Sequence, residues 1–414
     1  MVTESQQASD LPGGLTGGLR RRARGTLAGC GLAHFLHDGF SDVVYVLLPI
    51  WAEAFGLSHA QVGLLKSLYS GALAGFQLPA GFLAERWGAR RLLVAGTFVA
   101  GLAYLFFGFA GGFASLALLL LLAGLGSSAQ HPLSSTMVAE AYGEGPRRWA
   151  LGAYNFTGDL GKVVFPVLMA GAAAAYGWQA GSVAMGCAGL IAGLAIYVAL
   201  RQFHAGATRP RDVEGSKVSR ARGWMITDSR GFRLLCAVGM IDGATRTGFL
   251  TFLPFLLIEK GASLETVGVA LALTFGGGAF GKLACGILAE RAGIIRIVVA
   301  TEFMTGAGIL ALLFLPLAGA LALLPLVGLA LNGTSSVLYG TVPEFVARER
   351  QSRAFGLFYT LGIGAGALAP VLCGMISDLA GVPATLTVVG LFAFTAIPLC
   401  RFLAPSIAAA GSRN

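Results

Sequence analysis

"GFLAERWGARR", Gly81 to Arg91, is a short charged turn between two long apolar stretches. It returns as "GILAERAGII" from Gly286, at an offset of 205 residues. Both copies keep a glycine, an acid followed by a base (Glu85–Arg86, Glu290–Arg291) and a second glycine (Gly88, Gly293). A turn that recurs at half the chain's length marks a duplication, so one half can be read against the other. "DG" at Asp38 returns at Asp242, Pro49 at Pro254, and "VG" at Val62 returns at Val267. "ALGAYNFTGDLGKVVFPVL" from Ala150 aligns with "AFGLFYTLGIGAGALAPVL" from Ala354, and the offset is 204 or 205 throughout.

Around this repeat the chain is 56% hydrophobic and 12% charged, with mean hydropathy +0.75. A soluble domain carries about a quarter charged residues. Apolar runs near the ~20 residues that a membrane helix needs recur from end to end, whereas a β-barrel would show short alternating segments. The composition therefore predicts an all-α integral membrane protein of twelve transmembrane helices in two pseudo-symmetric six-helix bundles. The expected parts are an N-terminal tail (1–25), a first bundle (26–201), a linker (202–230), a second bundle (231–404) and a C-terminal tail (405–414). The net charge of +9 would suit nucleic acid in a soluble protein, but here arginines cluster in alternate loops. That is the positive-inside pattern: an inner-membrane, multi-pass protein with both termini cytoplasmic and no nucleic-acid partner. The six cysteines fall in or beside apolar spans without metal-ligand spacing; the polar N-terminus and its long first apolar run lead to the expectation of no cleavable signal.

The repeated turn resembles the signature that members of the major facilitator superfamily carry between helices 2 and 3. This resemblance covers nearly the whole chain. It implies a cytoplasmic gate latch built from Gly81, Glu85, Arg86, Gly88 and Arg90, and from Gly286, Glu290, Arg291 and Gly293. More narrowly, "LAHFLHDGFSDVVYVLLPIWAEAFGLSHAQVGLL" and "GLGSSAQHPLSSTMV" resemble the fosmidomycin-resistance-type exporters. That group implies proton-coupled efflux of an anionic substrate. Asp159 and Lys162 stand where the group has neutral residues, and Leu133 where it often has an acid.

Ionisable groups inside a membrane are costly and mark function by default. The first helix carries His34, Asp38, Asp42 and Tyr45 on one stripe, flanked by His37 and Ser41. The fifth carries Asn155, Asp159, Lys162 and Pro166; Asp159 and Lys162, three residues apart, are expected to pair. The seventh carries Asp242 and Arg246, and the repeat sets Arg246 opposite Asp42 as an interdomain ion pair. Gln130 and His131 in the fourth, Asn332 and Tyr339 in the tenth and Tyr359 in the eleventh complete the substrate candidates. Lys66, Gln77, Lys282 and Glu302 rank behind them, with Lys66 expected to snorkel to the interface. Asp38, Asp42, His34 and His131 are the proton-coupling candidates.

These features predict a secondary transporter using alternating access, acting as a monomer on a small anionic or zwitterionic molecule. Its partners are that substrate, protons and the bilayer; it needs no metal and no cofactor. Proton-coupled efflux is the first expectation and proton-coupled uptake of an organic anion the alternative, with a non-transporting receptor behind both. Neither a phosphate-binding loop nor a nucleophile elbow is present, which argues against ATP-driven transport and against an enzyme.

Overall fold

The computed structural model describes residues 17–143, 146–206, 226–346 and 351–411. They form twelve α-helices: α1 (Gly17–Phe55), α2 (His59–Trp87), α3 (Ala89–Phe107), α4 (Phe113–Ser127), α5 (Gln130–Tyr142), α6 (Arg147–Gln202), α7 (Ser229–Glu259), α8 (Leu264–Ala292), α9 (Ile294–Phe314), α10 (Leu317–Thr341), α11 (Gln351–Phe394) and α12 (Ala396–Gly411). Helices and membrane crossings do not correspond one to one. Among the described residues eight stretches are long and apolar enough to cross a membrane, and two of these run for 56 residues, Arg147–Gln202 and Ala354–Ala409. A straight helix of that length would measure about 84 Å, far more than a bilayer. Each therefore folds back, at Gly177 (φ 84°) and at Gly381 (φ 84°). Only glycine takes up that backbone without strain. Across the first reversal Gly181 packs on Met169, and across the second the Thr385 hydroxyl reaches the Cys373 carbonyl. α4 and α5 together make one crossing, while α1 and α2, the most polar of the membrane helices, supply the remaining two. The twelve predicted crossings are thus present.

The ends differ from expectation. α1 begins at Gly17 rather than Thr26, because Arg20 to Arg24 are good helix formers whose charges reach water from the helix end. The predicted C-terminal tail is helical as far as Gly411, through the helix-favouring run Ser406–Ala410. Residues 1–16, most of the predicted linker (207–225) and 412–414 lie outside the described residues.

The two halves meet at one end of the molecule. There is no room for a Cβ at Gly63 of α2, which sits on the Pro370 carbonyl of α11. Its repeat mate Gly268 of α8 packs on Ala170 and the Pro166 carbonyl of α6. At the same end the Asp378 carboxylate of α11 accepts from the backbone N–H groups of His59 (2.7 Å) and Ala60 (2.9 Å), the first residues of α2. Eighteen residues further on, five turns and about 27 Å along the same helix faces, Gly81 and Gly286 meet nothing within 4 Å. α2 and α8 thus touch the opposite half at one end and stand away from it at the other. The cavity between the halves opens toward the repeated charged turns.

Candidate functional site

The site grows from the polar stripe of α1. α6 can lie close beside α1 because Gly158 rests on the His34 ring and Gly161 on the Phe35 carbonyl; a side chain at either would collide. That approach delivers Lys162, one turn beyond Gly158, to the α1 carboxylates. Asp38 is the centre: His34 Nε2 lies 3.2 Å from it, His131 Nε2 3.3 Å and Lys162 Nζ 3.3 Å. Lys162 is also 4.0 Å from Asp42, whose Oδ2 has no hydrogen-bond partner. Behind the carboxylate, His34 Nδ1 meets the Tyr154 carbonyl (2.9 Å), and its ring stacks on Tyr154. The Tyr154 hydroxyl in turn accepts from Gln130 (2.9 Å).

Two predicted ion pairs do not form as expected. Lys162 turns away from Asp159 toward Asp38 and Asp42, and Asp159 instead binds Lys282 of α8 at 2.5 Å. Helix spacing makes the Asp159–Lys162 contact available, but each group finds a partner of opposite charge on a neighbouring helix. Arg246 pairs within its own helix with Asp242 (2.8 Å), and not with Asp42 across the interface; Ser335 also donates to Asp242 (2.8 Å). Among the described residues two charged contacts join the halves: Asp159–Lys282 within the network, and His59–Asp378 (3.9 Å) at the other end. Lys66 does not snorkel either. It is buried, donates to the Ser41 carbonyl (3.3 Å) and lies over the Tyr45 ring at 3.9 Å. This explains why Tyr45 shares the stripe: its π face helps to hold a cation.

The other candidates lie further out. Asn155 is exposed. Asn332 packs on Gly278 and bonds to its own helix. Tyr339 and Tyr359 form an edge-to-face pair, 5.7 Å between ring centres, with Phe355 beside Tyr339. The gate residues Glu85, Arg86, Glu290 and Arg291 are exposed at the open end. There the φ angles of Gly88 (88°) and Gly293 (94°) turn the chain between helices, and the Arg90 N–H bonds to the Gly206 carbonyl. His37 is a structural residue, bonded to Ser127 and Thr97. Ser335 was not foreseen; its signal was its place one turn from Asn332 on the same helix face. Glu302 of α9 is buried, with Oε2 unpartnered.

His34, Asp38 and His131 bring three donor atoms within 4.8 Å of one another. Lys162, on the same carboxylate oxygen as His34, already supplies the positive charge there. The cluster is built as an ion-pair network, with Lys162 where a cation would bind. Its charges are sorted by depth. Asp38 and Asp242 are buried, with side-chain exposures of 8% and 6%, and Asp159 is mostly covered at 13%. Their partners face the cavity: Lys162 at 29%, Lys282 at 38% and Arg246 at 31%. The cavity wall is therefore cationic, with the compensating anions behind it.

Comparison with known proteins adds a family and a fold. The family model described as Major Facilitator Superfamily matches residues 30–360 and 235–413. The protein named Probable sulfoacetate transporter SauU, of Cupriavidus necator, is 25% identical over 82% of this chain and 83% of its own. The hexuronate transporter of Bacillus subtilis is 25% identical over 87% of this chain and 90% of its own. Among solved structures, a bacterial homologue of the human lysosomal transporter Spinster, inward-facing and unoccupied, superposes with a TM-score of 0.80 at 17% identity. That likeness covers 94% of this chain and 98% of the other.

Proposed function

Since this chain belongs to the Major Facilitator Superfamily, a family of transporters and not of enzymes, we propose that it carries a small organic anion by alternating access, together with protons. One observation carries the reading: the cations of the charge network face the cavity while their carboxylates are buried behind them. An anion entering from the open end meets Lys162, Lys282 and Arg246 first. It competes with Asp159 for Lys282 and with Asp38 for Lys162. Because Asp159–Lys282 joins the halves, substrate binding and the interdomain link draw on the same charges, as alternating access requires. Relatives named for sulfoacetate and hexuronate, both organic acids, support the anionic class. We place the protein in the inner membrane as a monomer, with both termini and the open end cytoplasmic, because the basic clusters lie at that end.

The test is flux in proteoliposomes of the purified protein, with a lumenal pH dye and a panel of carboxylates, sulfonates, phosphonates, neutral sugars and cations. Acids of one or two charges should move together with protons, and Lys162→Gln or Lys282→Gln should lower their flux at least tenfold. Equal flux of neutral sugars or cations would overturn the anion reading. Binding without any flux would favour the receptor. Efflux, the first expectation from the sequence, is here the second reading, and one feature favours it: "GLGSSAQHPLSSTMV" of the exporter-like pattern puts Gln130 and His131 into the site. An outward-directed anion gradient discharged faster than an inward one would decide for efflux.

A further inference from the structure

Both ring nitrogens of His34 face acceptors. Nδ1 lies 2.9 Å from the Tyr154 carbonyl oxygen, which can only accept, so Nδ1 carries a hydrogen. Nε2 lies 3.2 Å from Asp38 Oδ2, and a carboxylate oxygen also accepts. A neutral imidazole has one N–H, already given to Tyr154, so two lone pairs would point at each other across the His34–Asp38 contact. The contact closes only with one more proton between them, whether it is bonded to nitrogen or to oxygen.

The neighbours do not remove this requirement. His131 on α5 touches the other oxygen of Asp38, and Lys162 on α6 donates to Oδ2 with its own hydrogens. His37, one turn along α1, is occupied by Ser127 and Thr97. None of them gives a proton to His34 Nε2. The pair is closed off, at 6% and 8% side-chain exposure, whereas His131 is 38% exposed and faces the cavity. His131 therefore supplies a way in, through the shared carboxylate.

We propose that the His34–Asp38 pair is the site of the co-transported proton, with His131 as its entry residue. This rests on the anion-transport reading and adds a stoichiometry. Among the described residues the network holds five carboxylates (Asp38, Asp42, Asp159, Asp242, Glu302) against four cations (Lys66, Lys162, Lys282, Arg246); Glu302, buried with no partner for its Oε2, is counted as the neutral acid, which leaves four negative charges against four positive. A bound monoanion leaves the network one charge negative, and the proton on His34–Asp38 cancels that charge. One proton accompanies one anion: after the anion leaves, the pair gives up its proton before the empty carrier turns back, so transport of a monoanion is electroneutral and a dianion carries one net negative charge.

The protonation state can be read without any substrate. Full-length protein in nanodiscs, labelled with nitrogen-15 at histidine, is studied at neutral pH. The chain has five histidines, and single His→Gln variants at the other four assign His34 by elimination if His34→Gln does not fold. Either His34 should have both nitrogens protonated, or infrared difference spectra against Asp38→Asn should show a protonated Asp38 carboxyl. A neutral His34 with bare Nε2 beside an ionised Asp38 would overturn the proposal, whatever the transport result. In proteoliposomes with glucuronate as probe, a pH gradient should drive accumulation and a potassium-diffusion potential should not. His34→Gln should lower the ratio of gradient-driven accumulation to anion exchange at least tenfold. Accumulation driven by the membrane potential, or an unchanged ratio, would also sink it. Absence of any anion flux in the wild type would instead count against the transport reading and leave the spectroscopic answer standing.

Discussion

At the scale of the residue, Lys162 shows how far side-chain chemistry could be read in advance. Its charge and its place on a glycine-bearing helix face marked it for function. Its partner was not legible, because that depends on how closely α6 approaches α1, which Gly158 and Gly161 decide in three dimensions. The repeat supplies a control. The mate of Lys162 is Gly366, where a Cβ would already press on the Thr247 hydroxyl; the second half has packed this space and the first has charged it. Lys162→Ala should leave Asp38 with its two histidines alone and Asp42 without its nearby lysine, and cost about 3 kcal/mol, the low end for breaking a buried pair because Lys162 is partly open. Thermal unfolding of the purified protein measures this, and adding Asp38→Asn should recover part of the loss. For Asp159 and Lys282, a double-mutant cycle of Asp159→Asn and Lys282→Gln should give a coupling of about 1 kcal/mol or more in the equilibrium between the two open states. Additive singles would mean that the 2.5 Å pair carries no energy between the halves.

At the scale of the element, the two seams at the closed end are unequal. Ser58 and Ser263 both cap their helices by accepting the N–H three residues on, and in α2 the Gln61 side chain bonds back to the Ser58 N–H. Among the described residues only the N-terminus of α2 also receives a carboxylate from the opposite half, where Asp378 takes its first two N–H groups and the neighbouring Ser377 bonds to His59 (2.9 Å). The mate of Asp378 is Ala174, so the α8 seam lacks this latch. Asp378→Ala should remove a helix cap worth about 1 kcal/mol and loosen the closed end. Faster labelling of a cysteine placed at Ala60 by a membrane-impermeant maleimide would report it; unchanged labelling would show that the cap is ornamental. Gly63→Ala should act more strongly, because its methyl group would overlap backbone and not a flexible side chain. Spin-label distances across α2 and α11 should lengthen at the closed end, while Gly81→Ala, open in this state, should leave them unchanged. The sequence pattern announced these positions as repeats, since "VG" and the paired prolines were visible at once. It could not announce that Gly63 meets Pro370 and Gly268 meets Pro166, because contact across the halves is a property of the assembled pair.

At the scale of the whole molecule, the twelve crossings and the duplication were legible because both follow from apolar length and a fixed offset. The charge links between the halves were not. Alignment of α1 with α7 predicted Asp42 against Arg246, but Arg246 finds Asp242 one turn away on its own helix and Asp42 faces Lys162 of α6. Lys282, deep in α8, then becomes the residue that reaches across.

The five-turn spacing that separates Gly63 from Gly81, and Gly268 from Gly286, acts as a ruler. About 27 Å is close to the hydrocarbon thickness of a bilayer. The place where each helix touches the opposite half and the place where it stands free therefore lie at the two faces of the membrane. Rocking between states tilts α2 and α8 against the lipid, so the membrane's thickness enters the work of each cycle. Turnover should peak in one acyl-chain length and fall in shorter and longer lipids, with the anion and the proton unchanged. A series of proteoliposomes made from phosphatidylcholines of increasing chain length would show the optimum. Inserting one full helical turn into both α2 and α8 should move that optimum to longer chains.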